Sequence, residues 1–199
     1  MELTVSEKEN WLSTDDIRDI QEDENGNLWI ATAEDGLFKV LFKGKEKERK
    51  VIGFQPFRTE LKTVGLYSNS IRDLYLDSKN RFWIATDGGL HLLKKFDKNQ
   101  LVLESYNIDN SEIPTNSINS LTADKRGNLW LGTWGEGLIK MYWQNGKIRF
   151  QQFLPKKGNS ISEAYIICLH TDKSGNVWVG TWINGLDKVE QDTRGNVTF

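Results

Sequence analysis

Apolar residues recur along this chain in short bursts, not on a helical stripe. Leu28-Trp29-Ile30-Ala31-Thr32 is one such burst, and Phe82–Thr86, Leu129–Thr133 and Val177–Thr181 are its counterparts. Each is dense in aromatic, β-branched and other apolar residues and is bounded by Gly, Asn and Asp, the pattern of a short strand between turns. Before each burst runs an Ile-x-x-Ile/Leu-x-x-Asp segment, which predicts a second strand. Between the two lies a stretch such as Asp23-Glu24-Asn25-Gly26-Asn27, which predicts a tight hairpin. The Asp accepts backbone N–H bonds there, and Gly or Asn tolerates positive φ. A third strand is expected after the following Gly-Leu pair, as in Leu138-Ile139-Lys140-Met141-Tyr142, and a fourth near Ile148-Arg149-Phe150. The long 3.6-residue periodicity of helical repeats is missing.

These segments are copies of one unit. They align on Asp23, Asp77, Asp124 and Asp172, spaced 54, 47 and 48 residues apart. Ile stands six residues before each Asp (Ile17, Ile71, Ile118, Ile166), and Trp six after (Trp29, Trp83, Trp130, Trp178). Thr stands nine after (Thr32, Thr86, Thr133, Thr181), and Gly-Leu follows at Gly36, Gly89, Gly137 and Gly185, one residue early in copy two. Four antiparallel strands in about 48 residues match one blade of a β-propeller. The fold expected is therefore all-β, four consecutive four-stranded blades in a partial ring or a small closed ring. Blade cores are expected over residues 14–42, 68–106, 115–154 and 163–199, with an outer strand over 1–13 around Leu3–Leu12. The longer first step is taken up by Lys43–Lys50, a mixed-charge run that reads as a solvated hairpin insertion. The four Trp are expected to pack between neighbouring blades, each burying on the order of 150–250 Å².

Composition narrows the function. The formal net charge is −2, so no basic surface suggests nucleic acid or an anionic membrane. No run approaches the roughly 20 apolar residues that span a bilayer. One cysteine, Cys168, excludes an internal disulfide; it is flanked by Ile167 and Leu169 and reads as a core residue. The first seven residues do not read as a secretory leader, which fits a cytoplasmic chain or a soluble segment whose targeting signal lies outside it.

Gly127-Asn-Leu-Trp-Leu-Gly-Thr133 and Gly175-Asn-Val-Trp-Val-Gly-Thr181, each followed by Gly-Leu, resemble the two-component regulator propeller repeat. Asn159-Ser160-Ile161-Ser162 and Thr115-Asn116-Ser117-Ile118 resemble its connection between blades. The likeness covers residues 14–199 and is weaker in copy two, where Asn80 replaces Gly. It implies a periplasmic sensor propeller of a hybrid histidine kinase, many of which are thought to sense glycans. Rings of more than four blades are implied as well. The pattern is cut inside a repeat at both ends, so part of a larger ring is expected, with a closed four-blade ring or two chains completing eight blades as alternatives. An open arc exposes strand edges and apolar faces and is expected to associate.

No catalytic, metal or cofactor site is expected. His91 and His170 occupy non-equivalent positions and read as surface or half-buried residues. There is no Cys/His ligand spacing and no phosphate loop. The repeated Asp turns lack calcium-loop spacing and read as structural. Function is sought where the copies differ, in the loops after the Thr. Trp134 and Trp182 lie outside the repeated core, and with Asp35, Asp87, Glu136 and Asn184 they form the candidate ligand-binding set. Aromatic faces beside Asp, Glu and Asn suit sugar stacking and hydroxyl recognition. The leading expectation is a non-enzymatic ligand-sensing segment, glycan-sensing in particular, whose partners are an oligosaccharide and further blades or a second chain. The alternatives are a protein-interaction scaffold and a propeller enzyme of the lyase kind, which the repeat also resembles. Acid/base residues converging on the central channel would favour the enzyme.

Overall fold

The computed structural model describes residues 12, 14–44, 48–60, 65–97 and 100–199. Sixteen strands among them form four antiparallel sheets, each a simple meander. The first holds β1 (Ile17–Glu22), β2 (Leu28–Thr32), β3 (Leu37–Lys43) and β4 (Lys50–Phe57). The second holds β5 (Ile71–Leu76), β6 (Phe82–Thr86), β7 (Gly89–Asp97) and β8 (Gln100–Tyr106). The third holds β9 (Ile118–Ala123), β10 (Leu129–Thr133), β11 (Leu138–Gln144) and β12 (Lys147–Phe153). The fourth holds β13 (Ile166–Thr171), β14 (Val177–Thr181), β15 (Leu186–Gln191) and β16 (Val197–Thr198). The first strands β1, β5, β9 and β13 neighbour one another from blade to blade and form the inner wall. The blades form an arc that is not closed into a ring. The first sheet runs past residue 42 to Phe57, where β4 pairs along β3 from Lys43↔Lys50 to Leu37↔Phe57. The tip of that hairpin, residues 45–47, lies outside the described residues, as does the expected outer strand apart from Leu12.

Each repeated Asp ties its turn to the blade core. Asp23 accepts the N–H of Asn25 and Asn27 on one oxygen and the Trp29 indole N–H, at 2.8 Å, on the other. The same indole bond recurs at Asp77–Trp83 (3.0 Å), Asp124–Trp130 (3.0 Å) and Asp172–Trp178 (2.9 Å). Burial opposes the charge on Asp23, Asp77 and Asp124, but these donors outweigh it and hold the three carboxyls below their usual range. A fifth turn of this kind, Asp192 to Asn196, joins β15 to β16 and accepts the N–H of Arg194 and Asn196. The repeated Thr closes the next loop. Thr32, Thr86, Thr133 and Thr181 each donate their hydroxyl to the carbonyl of the Gly that opens the third strand. At Gly137, φ is +73° and a Cβ would lie 2.2 Å from the Phe153 carbonyl oxygen, so a side chain has no room.

The core lies between the blades. Trp29 packs with Leu37 and Phe57 against Ile71, Leu74, Phe82 and Ile84 of the second blade. Trp83 repeats this against Ile118, Leu121, Leu129 and Leu131, and Trp130 against Ile161, Ile166, Val177 and Val179. Among the described residues, the two terminal faces carry the same residues without a neighbour. Trp178 is only half-buried, and Leu186 is 64% exposed where Leu37, Leu90 and Leu138 are fully buried. At the other end Ile20 is 57% exposed, while Leu12 packs on the Ile30, Phe38, Val40 and Phe54 cluster.

Two residues sit elsewhere than the sequence predicts. Cys168 is in β13 but exposed, because its strand belongs to the unpartnered last blade. His91 is fully buried in β7. Its Nδ1 lies 2.6 Å from Ser105 Oγ, and burial lowers its pKa to about 4.

Candidate functional site

All four inner strands carry a β-bulge at the same register. In the first blade Ile17 pairs with Thr32 and Asp19 with Ala31, which leaves Arg18 as the extra residue. The extra residues in the other blades are Arg72, Asn119 and Ile167. A bulge bends its strand and re-aims one side chain. Here the four bulge residues converge on one end of the arc and line a cleft of about 630 Å³. Trp134, Trp182, Asp87 and Ser117 complete it.

Of the six sequence candidates, Trp134, Trp182 and Asp87 reach this cleft. Trp134 is 48% and Trp182 61% exposed. Their rings meet edge to face at 5.4 Å across the third and fourth blades, and Tyr165 meets Trp134 the same way at 5.3 Å. The backbone fixes both loops. Trp134 bridges to Tyr165, Trp182 N–H donates to the Tyr165 carbonyl, and buried Glu163 accepts the Ile183 N–H at 2.8 Å. The other three candidates turn away from the cleft. Asp35 binds Arg58 at 2.7 Å. Glu136 accepts a bond from Gln152, and Asn184 donates to the Ser162 carbonyl.

The polar groups of the cleft are unequal. Arg72 grips Asp87 through Nε (3.1 Å) and Nη2 (2.6 Å), and Ser117 Oγ donates to the same carboxylate at 3.1 Å. Burial opposes the charge on Asp87, but Arg72, with Ser70 and Ser117 beside it, outweighs it and depresses its pKa. Arg18 makes a single 3.1 Å contact with Asp16, both side chains being about half exposed. Asn119 donates its amide to the Ile166 and Ile167 carbonyls, which leaves its oxygen to accept. Sequence reading missed Arg18, Arg72, Asn119, Ile167 and Ser117. For the four bulge residues a signal was present: the position directly after the constant Ile changes from Arg to Arg to Asn to Ile.

Deeper in the inner wall, Asp19 accepts the Leu74 N–H at 3.0 Å, and Asp73 accepts the Leu121 N–H at 2.6 Å. Each carboxylate thus staples its strand to the next blade. Burial, with Asp19 beside it, raises the Asp73 pKa to about 7. No group of three or more metal-binding side chains occurs among the described residues.

The profile of the two component regulator propeller family matches residues 12–34, 68–88, 112–135 and 160–182, one match per blade. No curated protein sequence matches the chain. Among solved structures, the chain is similar to the extracellular domain assigned to a hybrid two-component system of B. thetaiotaomicron. The identity is 27%, the TM-score 0.68, and the match covers 92% of this chain and 24% of that one. The extracellular domain assigned to a second such system of that organism matches at 19% identity and TM-score 0.53, over 94% of this chain and 33% of that one. Virginiamycin B lyase from Staphylococcus aureus matches at 16% identity and TM-score 0.59, over 96% and 57%. The last two share the fold alone. The chain spans about a quarter of the length of the first of these structures. With one family match on each of its four blades, the chain belongs to the two-component regulator propeller family.

Proposed function

We propose that this chain is a recognition segment in the extracytoplasmic sensor region of a two-component signalling protein, and that its cleft binds a saccharide. The observation that carries this reading is the convergence of four bulge residues and two exposed indoles on one cleft. Trp29, Trp83 and Trp130 are fully buried in the blade cores, whereas Trp134 and Trp182, packed on one another, keep much of their ring surface exposed at the cleft. Exposed indole faces beside arginine, amide and hydroxyl groups suit sugar rings. The cleft is a place of recognition and not of bond cleavage: Asp87 is committed to Arg72 and Ser117, and His91 is buried. Similarity to the extracellular domain of a hybrid two-component system supports an extracytoplasmic location, and nothing favours the cytoplasmic alternative.

The terminal faces support a second element of the proposal. Trp178 and Leu186 occupy the register that each internal blade buries against its neighbour, so a further blade of the same repeat fits there. Ligand binding then shifts the balance between blade arrangements, and the shift passes to signalling domains.

Trp134→Ala and Trp182→Ala are expected to abolish the change in tryptophan fluorescence that saccharide addition produces, while the far-UV circular dichroism stays that of the wild type. Saccharide binding that survives both substitutions would remove the cleft as the site.

A further inference from the structure

We infer that the cleft selects a sugar that carries a carboxylate, a uronic acid residue, and that Arg18 is the side chain that receives it. This rests on the saccharide reading above and adds the charge of the ligand. The argument begins with the bulges. Each inner strand re-aims one residue into the cleft, so four positions set its chemistry: Arg18, Arg72, Asn119 and Ile167. Two of the four are guanidinium groups, on adjacent blades.

The two arginines are held differently. Arg72 is clamped by Asp87, at 2.6 Å from Nη2, and Ser117 steadies that carboxylate from the third blade's entry segment. Asp87 is therefore a positioning residue whose charge is already matched. Arg18 has only Asp16, through one 3.1 Å bond between side chains that are 43% and 53% exposed. Such an exposed pair contributes little and yields to a better partner. A guanidinium presents a planar fork that takes a carboxylate by two parallel bonds, and those bonds are about twice as strong as neutral ones. A ligand carboxylate at Arg18 replaces a solvent-screened contact with a partly shielded one. Trp134 and Trp182, exposed and lining the same cleft, supply the aromatic surface for the sugar ring. Asn119 lines the same cleft, and with its amide N–H donated to the backbone its Oδ1 is the atom left to accept from a sugar hydroxyl. A neutral sugar uses the indoles and Asn119 but leaves Arg18 unchanged.

The test uses the chain as it is, with oligogalacturonate, oligoglucuronate and oligomannuronate as probes, each beside its methyl ester. The ester keeps the sugar and removes the charge. For at least one pair the acid is expected to bind roughly ten-fold or more tightly than the ester, a preference that added salt weakens. In Arg18→Met that preference is expected to vanish, with acid and ester then binding alike and still measurably. Equal binding of acid and ester to the wild type overturns the inference and leaves the saccharide reading intact, as does a preference that survives Arg18→Met. Failure of every acid and every ester to bind overturns both. The acid-to-ester ratio is internal to each protein, so a loss of folding in the variant cannot mimic it, and the wild-type comparison alone can refute the inference.

Discussion

The repeated Asp and Trp stand six residues apart in every copy because one carboxylate oxygen receives the indole N–H. The register was legible in the sequence, but the bond was not, since spacing alone does not say which way the turn folds the side chains. His91 shows a readable signal that was passed over. It follows Gly-Leu just as Phe38 and Ile139 do, and those apolar siblings mark a core position. Cys168 was misread as core because its neighbours are apolar, whereas its inner-strand register is that of Asp19, Asp73 and Ser120. Asp73 and His91 also set opposing pH dependences. With its folded pKa raised to about 7, Asp73 holds a proton between about pH 4 and 7 that the unfolded chain releases. Its contribution is present at low pH and is lost as pH rises through that window. His91, lowered to about 4, stays neutral in the folded chain where the unfolded chain takes up a proton, so its contribution is lost as pH falls below about 6.5. Asp73→Asn keeps an acceptor for the Leu121 N–H and removes the first dependence. Urea unfolding is expected to show it stabilised over the wild type by on the order of 2 kcal/mol at pH 7.5 and little changed at pH 4.5. An equal effect at both pH values would show that Asp73 is not protonated in this way.

At the scale of the element, strands were predicted closely where apolar residues carried the pattern. The bounds of β2, β6, β10 and β14 are those of the four apolar bursts. The bulges were not predicted. A bulge shows in pairing partners, and one chain read alone shows no partners; its only trace was the varying residue after the constant Ile. Blade position matters as much as blade sequence. Asp124 and Asp172 hold equivalent turns, yet Asp124 also accepts Gln191 Nε2 from the next blade, at 2.8 Å, while Asp172 belongs to the open last blade. Asp124→Ala leaves the buried Trp130 indole and the half-buried Asn128 donors without a partner and is expected to lose about 2–4 kcal/mol. Asp172→Ala is expected to lose less than half as much, because water reaches the donors it abandons. Equal shifts in urea midpoint would mean that the interblade seam adds nothing to these turns.

The whole molecule separates what is constant from what varies. The constant Asp, Trp, Thr and Gly-Leu build blades and bury against the next blade. The variable bulge residues and the loops after the Thr meet at one end, although they come from four different blades. This division explains why only three of the eight cleft residues were legible. Trp134, Trp182 and Asp87 were found because loops were the right place to look. Asp35, Glu136 and Asn184 share those loops, but their hydrogen bonds turn them to their own blade or to the entry segment of the next. The arginines were missed because they lie on strands. The division also predicts a spectral outcome for six of the eight indoles. In a 15N–1H spectrum of the chain titrated with a cleft-binding saccharide, the indole N–H signals of Trp134 and Trp182 are expected to shift. Those of Trp29, Trp83, Trp130 and Trp178, each held by its Asp, are expected to stay in place. Shifts confined to those four Trp, with Trp134 and Trp182 unmoved, would contradict the account.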